Sequence, residues 1–234
     1  MVIALLRPLL LNRPILTLME SNILSGQSVA DEAILLARGR RLEHLTIAWN
    51  GLEAAISLLF GVLAGSIALV GFGLDSVIEV VSALILLWRL KRRMAPARRE
   101  VVERKAHRLV GVCFLLLAAY VTLESLRAFW LRTVPEQSIP GIAIALAAMI
   151  VMPMLGHAKR KVAAELGSRA LHSDSRQADF CAYLSAILLV GLALNWGLEW
   201  WWADPVAALV MVPIITYEGI KGLRGEACDD CGCA

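Results

Sequence analysis

The sequence predicts an all-α membrane protein of six transmembrane helices, and three observations carry that prediction. Hydrophobic residues make up 59% of the 234 and charged residues 18%, with a mean hydropathy of +0.68, too apolar for an ordinary soluble domain. Six stretches, at roughly 45–65, 67–89, 108–130, 139–156, 178–198 and 204–220, come close to the ~20 apolar residues a spanning helix needs. Of the 23 Lys and Arg, all but Arg127 and Arg132 fall on one side if the spans alternate and both termini are cytoplasmic. Helices are required because open structures leave backbone groups unsatisfied in lipid. The net charge of +3 therefore reports topology and gives no support to a nucleic-acid partner.

Residues 1–42 are expected to be a mobile or surface-lying cytoplasmic segment. Arg7-Pro8 and Arg13-Pro14 interrupt any signal-peptide core, and translation could begin at Met19. The six-helix unit is expected over 43–224. Gly61, Ala64 and Gly65 in the first span, and Ala143, Ala145, Ala147 and Ala148 in the fourth, allow close helix packing. The outer connections are short: "GS" at 65–66, the residues around "TVPEQSIP", and "GLEWWWADP". The connections 90–107 and 157–177 are long, basic and cytoplasmic. Trp200, Trp201 and Trp202 belong at a membrane interface. Asp204 before Pro205 reads as the N-cap and first position of the sixth span. Residues 225–234 form a Cys-rich cytoplasmic tail too short for a soluble domain, and no internal repeat is evident.

Asp75 and Glu79 stand out within the second span. Four residues apart, they share one helical face near mid-depth, and the nearest basic residue in sequence is Arg89. Glu79 is too deep to snorkel, and no Lys or Arg lies deep in any span to pair with either acid. A central Asp costs about 2.5–3.5 kcal/mol on the insertion scale, so two uncompensated acids point to a cation that comes and goes.

The fifth span offers a complement in two sets. Asp174, Gln177 and Cys181 share one face; His172, Ser175 and Asp179 lie nearly opposite, so one set lines a site while the other meets water or a neighbouring helix. Alone, Cys181 would read as a small buried hydrophobe. Glu53, with Asn50 one turn before it, is a third intramembrane acid. It suits a further ligand, a proton carrier, an ion-access residue or a packing hydrogen bond on the Asn50 side. Asp179 is a second candidate for proton coupling. Glu124 and Arg127 read as a solvated pair, His107 and His157 as interfacial, and Cys113 as core. Cys228, Cys231 and Cys233 form "CDDCGC", where thiolates and two Asp suit a soft or borderline metal, against the alternative of a plain disordered end.

Two stretches match a family. "GSIALVGFGLDSVIE" resembles the first-to-second span junction of the cation diffusion facilitators, with its G-S-x-A-L and D-S-x-x-D wording. "ADFCAYLSAILLVGLALNWGLEWWWADPVAAL" resembles their fifth and sixth spans, and the likeness covers about 43–224. It is nearest the short branch of transmembrane-protein-163-like zinc effluxers, which lack the cytoplasmic domain. The resemblance implies that the family's D-x-x-x-D falls on Asp75 and Glu79, and its fifth-span H-x-x-x-D on Gln177 and Cys181. An amide and a thiol thus replace a His and an Asp, which puts the usual zinc in question, and Asp174 stands ready to be recruited.

The resulting expectation is a proton-coupled, alternating-access efflux transporter and no enzyme. Its substrate would be Zn²⁺, with Cd²⁺ or another transition metal as alternatives, and it would hold no permanent cofactor. Protons serve as counter-ion, and Gly71 and Gly73 offer a pivot. A homodimer in a bacterial inner membrane is implied by the resemblance, its contacts supplied by the spans and the basic loop. Two alternatives stand beside it. A non-transporting metal sensor would read metal through the Cys tail. An intramembrane aspartyl protease is disfavoured because Leu74 separates Gly73 from Asp75 and no second motif occurs.

Overall fold

The computed structural model describes residues 13–91 and 96–224. They form six helices: α1 (Arg13–Ala64), α2 (Ile67–Lys91), α3 (Pro96–Leu131), α4 (Ile139–Leu166), α5 (Arg169–Leu198) and α6 (Ala203–Arg224), with no strand among the described residues. All six are long and apolar enough to cross a membrane. The first stretch that qualifies runs Asp31–Ala64, well ahead of the boundary expected at 43. Residues 13–42, expected to be mobile, continue α1 without interruption. Pro14 sits in the first turn, where its missing N–H costs no intrahelical bond. Only Gly26 and Gly39 weaken the stretch, by about 1 kcal/mol each.

Two helical hairpins use the same two-residue turn. After α1, Gly65 adopts φ +64°; its N–H reaches Val62 O at 3.3 Å, and Ser66 N–H reaches Gly61 O at 2.9 Å. After α4, Gly167 adopts φ +59°, with matching bonds from Gly167 to Ala164 and from Ser168 to Ala163. This bonding closes a helix through a left-handed residue, which glycine adopts without a Cβ penalty. Each serine then opens the next helix: Ser66 Oγ accepts from Leu69 N–H at 3.1 Å, and Ser168 Oγ from Leu171 N–H at 3.4 Å. Gly-Ser thus ends one helix and starts another, folding α2 back on α1 and α5 back on α4.

The third close pair, α3 with α6, meets backbone to backbone. A Cβ on Gly111 would lie 2.7 Å from Gly219 O, and one on Gly222 would lie 2.8 Å from Gly111 Cα. The sequence pointed to small residues in the first and fourth spans, yet this is one of the tightest approaches. The α2 helix lies among α1, α3, α5 and α6. It runs unbroken through Gly71 and Gly73, without the discontinuity expected there, and the two glycines admit Val121 and Leu58 at close range.

The distribution of polarity suits a lipid surround. Leu52, Leu59, Val62, Leu116, Leu123 and Met154 are exposed, whereas Asn50, Glu53, Ser57, Asp75, Ser76, Glu79, Ser125 and Ser185 are buried. Apolar outside and polar inside is stable where the solvent is hydrocarbon. Trp200 stacks on Trp202 at 4.8 Å, and Trp201 meets Phe129 edge-on at 6.0 Å, gathering the indoles at one end of the bundle.

Candidate metal centre

Helical periodicity sets Asp75 and Glu79 one turn apart on the inner face of α2, and α5 brings Cys181 against them. The three side chains are 3%, 4% and 0% exposed. One ligand atom from each lies within 4.8 Å of the others. Gln177 sits one turn before Cys181 on α5, and its Nε2 is buried with no hydrogen-bond partner. Asp75, Glu79 and Gln177 line a narrow cavity with room for about one water molecule that Glu218 of α6 also lines, with Phe114, Phe180, Leu184, Ile214 and Ile215 as its apolar walls.

A ring of polar groups orients the cluster. Asn50 of α1 donates from Nδ2 to Glu79 Oε2 at 2.6 Å. Glu53, one turn further along α1, accepts from Ser76 Oγ at 2.7 Å and from the Cys181 thiol at 3.5 Å. Glu53 therefore joins α1, α2 and α5, and its other oxygen is buried without a partner. The packing bond considered for Glu53 on the Asn50 side goes to Ser76 instead. Among the described residues, the hydrogen bonds of this region fall on Glu79 and Glu53, and none reaches Asp75.

Asp174 and Asp179 do not join this group. Asp174 is bonded to Lys159 Nζ, and Glu43 Oε1 lies 3.3 Å from the same ammonium. Lys159 is 1% exposed and Glu43 0%. Lys159, placed by the sequence in the connection 157–177, is thus buried between helices, though toward the end of α4 rather than deep in the span. The apolar stretch of the fourth span stops near Gly156, but α4 continues to Leu166, and the middle of α1 and the start of α5 enclose Lys159. Sequence reasoning missed Lys159 and Glu43; the only signal was their membership of helices longer than the apolar runs.

Asp179 pairs with Arg160 on the α4-facing side of α5, where a Cβ on Gly156 would meet Ser175 O and Asp179 Oδ1 at 3.0 and 3.2 Å. The set His172, Ser175 and Asp179 is thus the one that meets a neighbouring helix. Glu124 and Arg127 form the expected exposed pair at 3.6 Å. Cys113 is only half-buried rather than core. Cys228, Cys231 and Cys233 lie outside the described residues.

Asp204 plays a different part from the one read in the sequence. It lies inside the first turn of α6, and its carboxylate accepts from Ser66 Oγ, from Ile67 N–H at 2.8 Å and from Ala68 N–H at 3.4 Å. Instead of capping its own helix, it caps α2. The first N–H groups of a helix have no intrahelical acceptor, and those of α2 are covered by α6, so a buried acceptor must come from there.

Six helices able to span a membrane, around a buried carboxylate and thiol cluster that could hold a metal ion, define the class as an integral membrane protein. The cation efflux transmembrane domain family matches residues 44–225, and the chain belongs to this family, the cation diffusion facilitators. This bears out the resemblance carried by the two quoted stretches. Transmembrane protein 163 of Xenopus laevis is 27% identical over 195 residues, covering 79% of this chain and 68% of that protein. A protein described as an uncharacterized transporter from Synechocystis sp. is 26% identical over 179 residues, covering 73% of this chain and 58% of that relative.

Proposed function

We propose that the chain exports a divalent transition metal, with zinc as its main substrate and cadmium accepted, through a site formed by Asp75, Glu79, Cys181 and Gln177. The observation that carries this reading is the buried triad of ligand atoms within 4.8 Å, none of them in an ion pair among the described residues. Tetrahedral zinc with bonds of about 2.0–2.3 Å would set its ligands roughly 3.3–3.8 Å apart, a contraction within reach of side-chain rotation. Gln177 supplies its amide oxygen as the fourth ligand. Asp174 is not included, because Lys159 holds it. Asn50 and Glu53 orient Glu79 and Cys181, as groups behind metal ligands commonly do.

Two carboxylates and a thiolate offset the ion's charge in a medium that otherwise rejects it. Metal binding requires deprotonated ligands, so each ion loaded displaces protons. A site that carries metal one way and protons the other is thereby an antiporter, with occupancy falling as pH falls. Alternating access exposes the loaded and protonated forms to opposite sides. The basic ends of the helices set both termini in the cytoplasm. Pairing with a second copy through the spans, and weak metal capture by Cys228, Cys231 and Cys233, complete the reading.

Zinc flux into vesicles carrying a zinc dye tests it. Wild-type protein should transport zinc faster under an opposing proton gradient, and Asp75→Ala should not transport. Equal flux by the two would remove the site.

A further inference from the structure

Glu218 belongs to no part of the site above, yet it shares the cavity with Asp75, Glu79 and Gln177. It stands near the Arg224 end of α6, the end at which Lys91 closes α2. The cavity therefore extends from the mid-depth cluster toward the basic end of the bundle. Its lining holds three carboxylates and one amide, with no Lys or Arg.

Several polar atoms along this cavity are unsatisfied, although Glu79 Oε2 accepts from Asn50. Glu218 Oε1 and Gln177 Nε2 are buried without partners. Asp75, 3% exposed, lines the same space and receives no hydrogen bond. Lys221 and Arg176 are the cations near enough to act on Glu218. The Lys221 ammonium, however, lies over the Tyr217 ring, 5.9 Å from its centroid. A carboxylate with a bare buried oxygen at one end of a cavity, and a bare carboxylate at the other, is an arrangement that a mobile cation satisfies at both ends.

We propose that Glu218 is a shallow binding station for the divalent cation, occupied on its way between the basic side and the Asp75–Glu79–Cys181 centre. The proposal rests on the metal-centre reading and adds a second place for the ion to it. A single carboxylate with an amide beyond it binds weakly, which suits a station that must load and release quickly. A narrow cleft lined by one sign of charge, with apolar walls, also concentrates counter-ions and speeds their arrival. Glu218 therefore acts on capture of the ion, and the deep centre acts on its retention.

The test uses full-length protein in which Cys228, Cys231 and Cys233 are Ser, with Zn²⁺ as the probe. Glu218→Gln should raise the half-saturating zinc concentration for transport by about tenfold while the rate at saturating zinc stays within about twofold, the pattern of a lost capture interaction. Glu218→Asp should fall between the two. In titration calorimetry, Asp75→Ala should keep a weak zinc-binding event that Asp75→Ala with Glu218→Gln loses. Wild-type half-saturation in Glu218→Gln, or identical weak binding in the single and double variants, overturns the station and leaves the deep centre standing. Normal transport by Asp75→Ala would instead overturn the deep centre, so the two failures are distinguishable.

Discussion

Two buried acidic clusters lie in this bundle, and they differ in one respect. Toward the Leu166 end of α4 and the Arg169 end of α5, beside the middle of α1, Glu43 and Asp174 share the ammonium of Lys159. At mid-depth, Asp75 and Glu79 make no ion pair among the described residues, although Lys159 is close enough to act on Glu79, and a thiol completes their group. The first cluster carries its own cation as part of the polypeptide. The second has the same need, and no cation is paired with it among the described residues. Buried carboxylates are costly in either place. Where the chain answers with a lysine the acids tie helices together, and where it does not the proposed function has the counter-charge arrive from solution.

The largest effect that sharpens this contrast is removal of a mid-depth acid. Asp75→Ala or Glu79→Ala should reduce zinc transport by at least about 100-fold, since losing even a group behind a metal ligand costs roughly 10–100-fold. Membrane insertion should be unimpaired or improved, because a polar group has left the span. Flux assays beside a measure of the inserted fraction separate the two effects.

Breaking the other cluster should have the opposite signature. Lys159→Met leaves Glu43 and Asp174 buried without their cation and should destabilise the protein by about 3–5 kcal/mol. Adding Glu43→Gln and Asp174→Asn should restore most of that loss, read as the unfolding midpoint in detergent. If Lys159→Met proves as stable as wild type, the lysine is not the counter-charge and the comparison fails.

How far the sequence revealed these clusters depends on what each signal measures. Apolar length found the six spans, and four-residue spacing put Asp75 and Glu79 on one face. The resemblance directed attention to Gln177 and Cys181. Lys159 was read as a loop residue because apolar runs mark the lipid-exposed length of a helix, whereas α4 continues ten residues past Gly156. Helix extension there needs only propensity and neighbours to pack against. Asp204 was assigned to its own helix because capping rules are local, while its partners Ser66, Ile67 and Ala68 are more than a hundred residues away. The Glu53 contacts with Ser76 and Cys181 likewise depend on three helices meeting, which spacing within one helix cannot report.

A smaller effect concerns which cation is admitted. Sulfur favours Cd²⁺ and Zn²⁺ over the oxygen-seeking Mn²⁺. Cys181→Asp should remain active and shift the Cd²⁺ to Mn²⁺ transport ratio toward Mn²⁺ by about tenfold, while Cys181→Ala should lose most transport. An unchanged metal profile in Cys181→Ala would make the thiol packing alone. The smallest effect is expected from deleting 226–234, which should lower the rate by about twofold without stopping transport, since chain ends tolerate change. Complete loss with normal expression would make the tail an obligatory donor to the mid-depth cluster.

Metal content tests the central claim most directly. Zinc should be measured on purified full-length protein with the three tail cysteines replaced by Ser, for the parent, Asp75→Ala and Lys159→Met. The parent should hold about one tightly bound zinc per chain, as a single four-ligand centre would. Lys159→Met, if it can be purified folded, should hold the same amount, and Asp75→Ala should hold none that survives dialysis. Equal zinc in the parent and Asp75→Ala would contradict the account, because the acids without a resident cation would then not be what holds the ion.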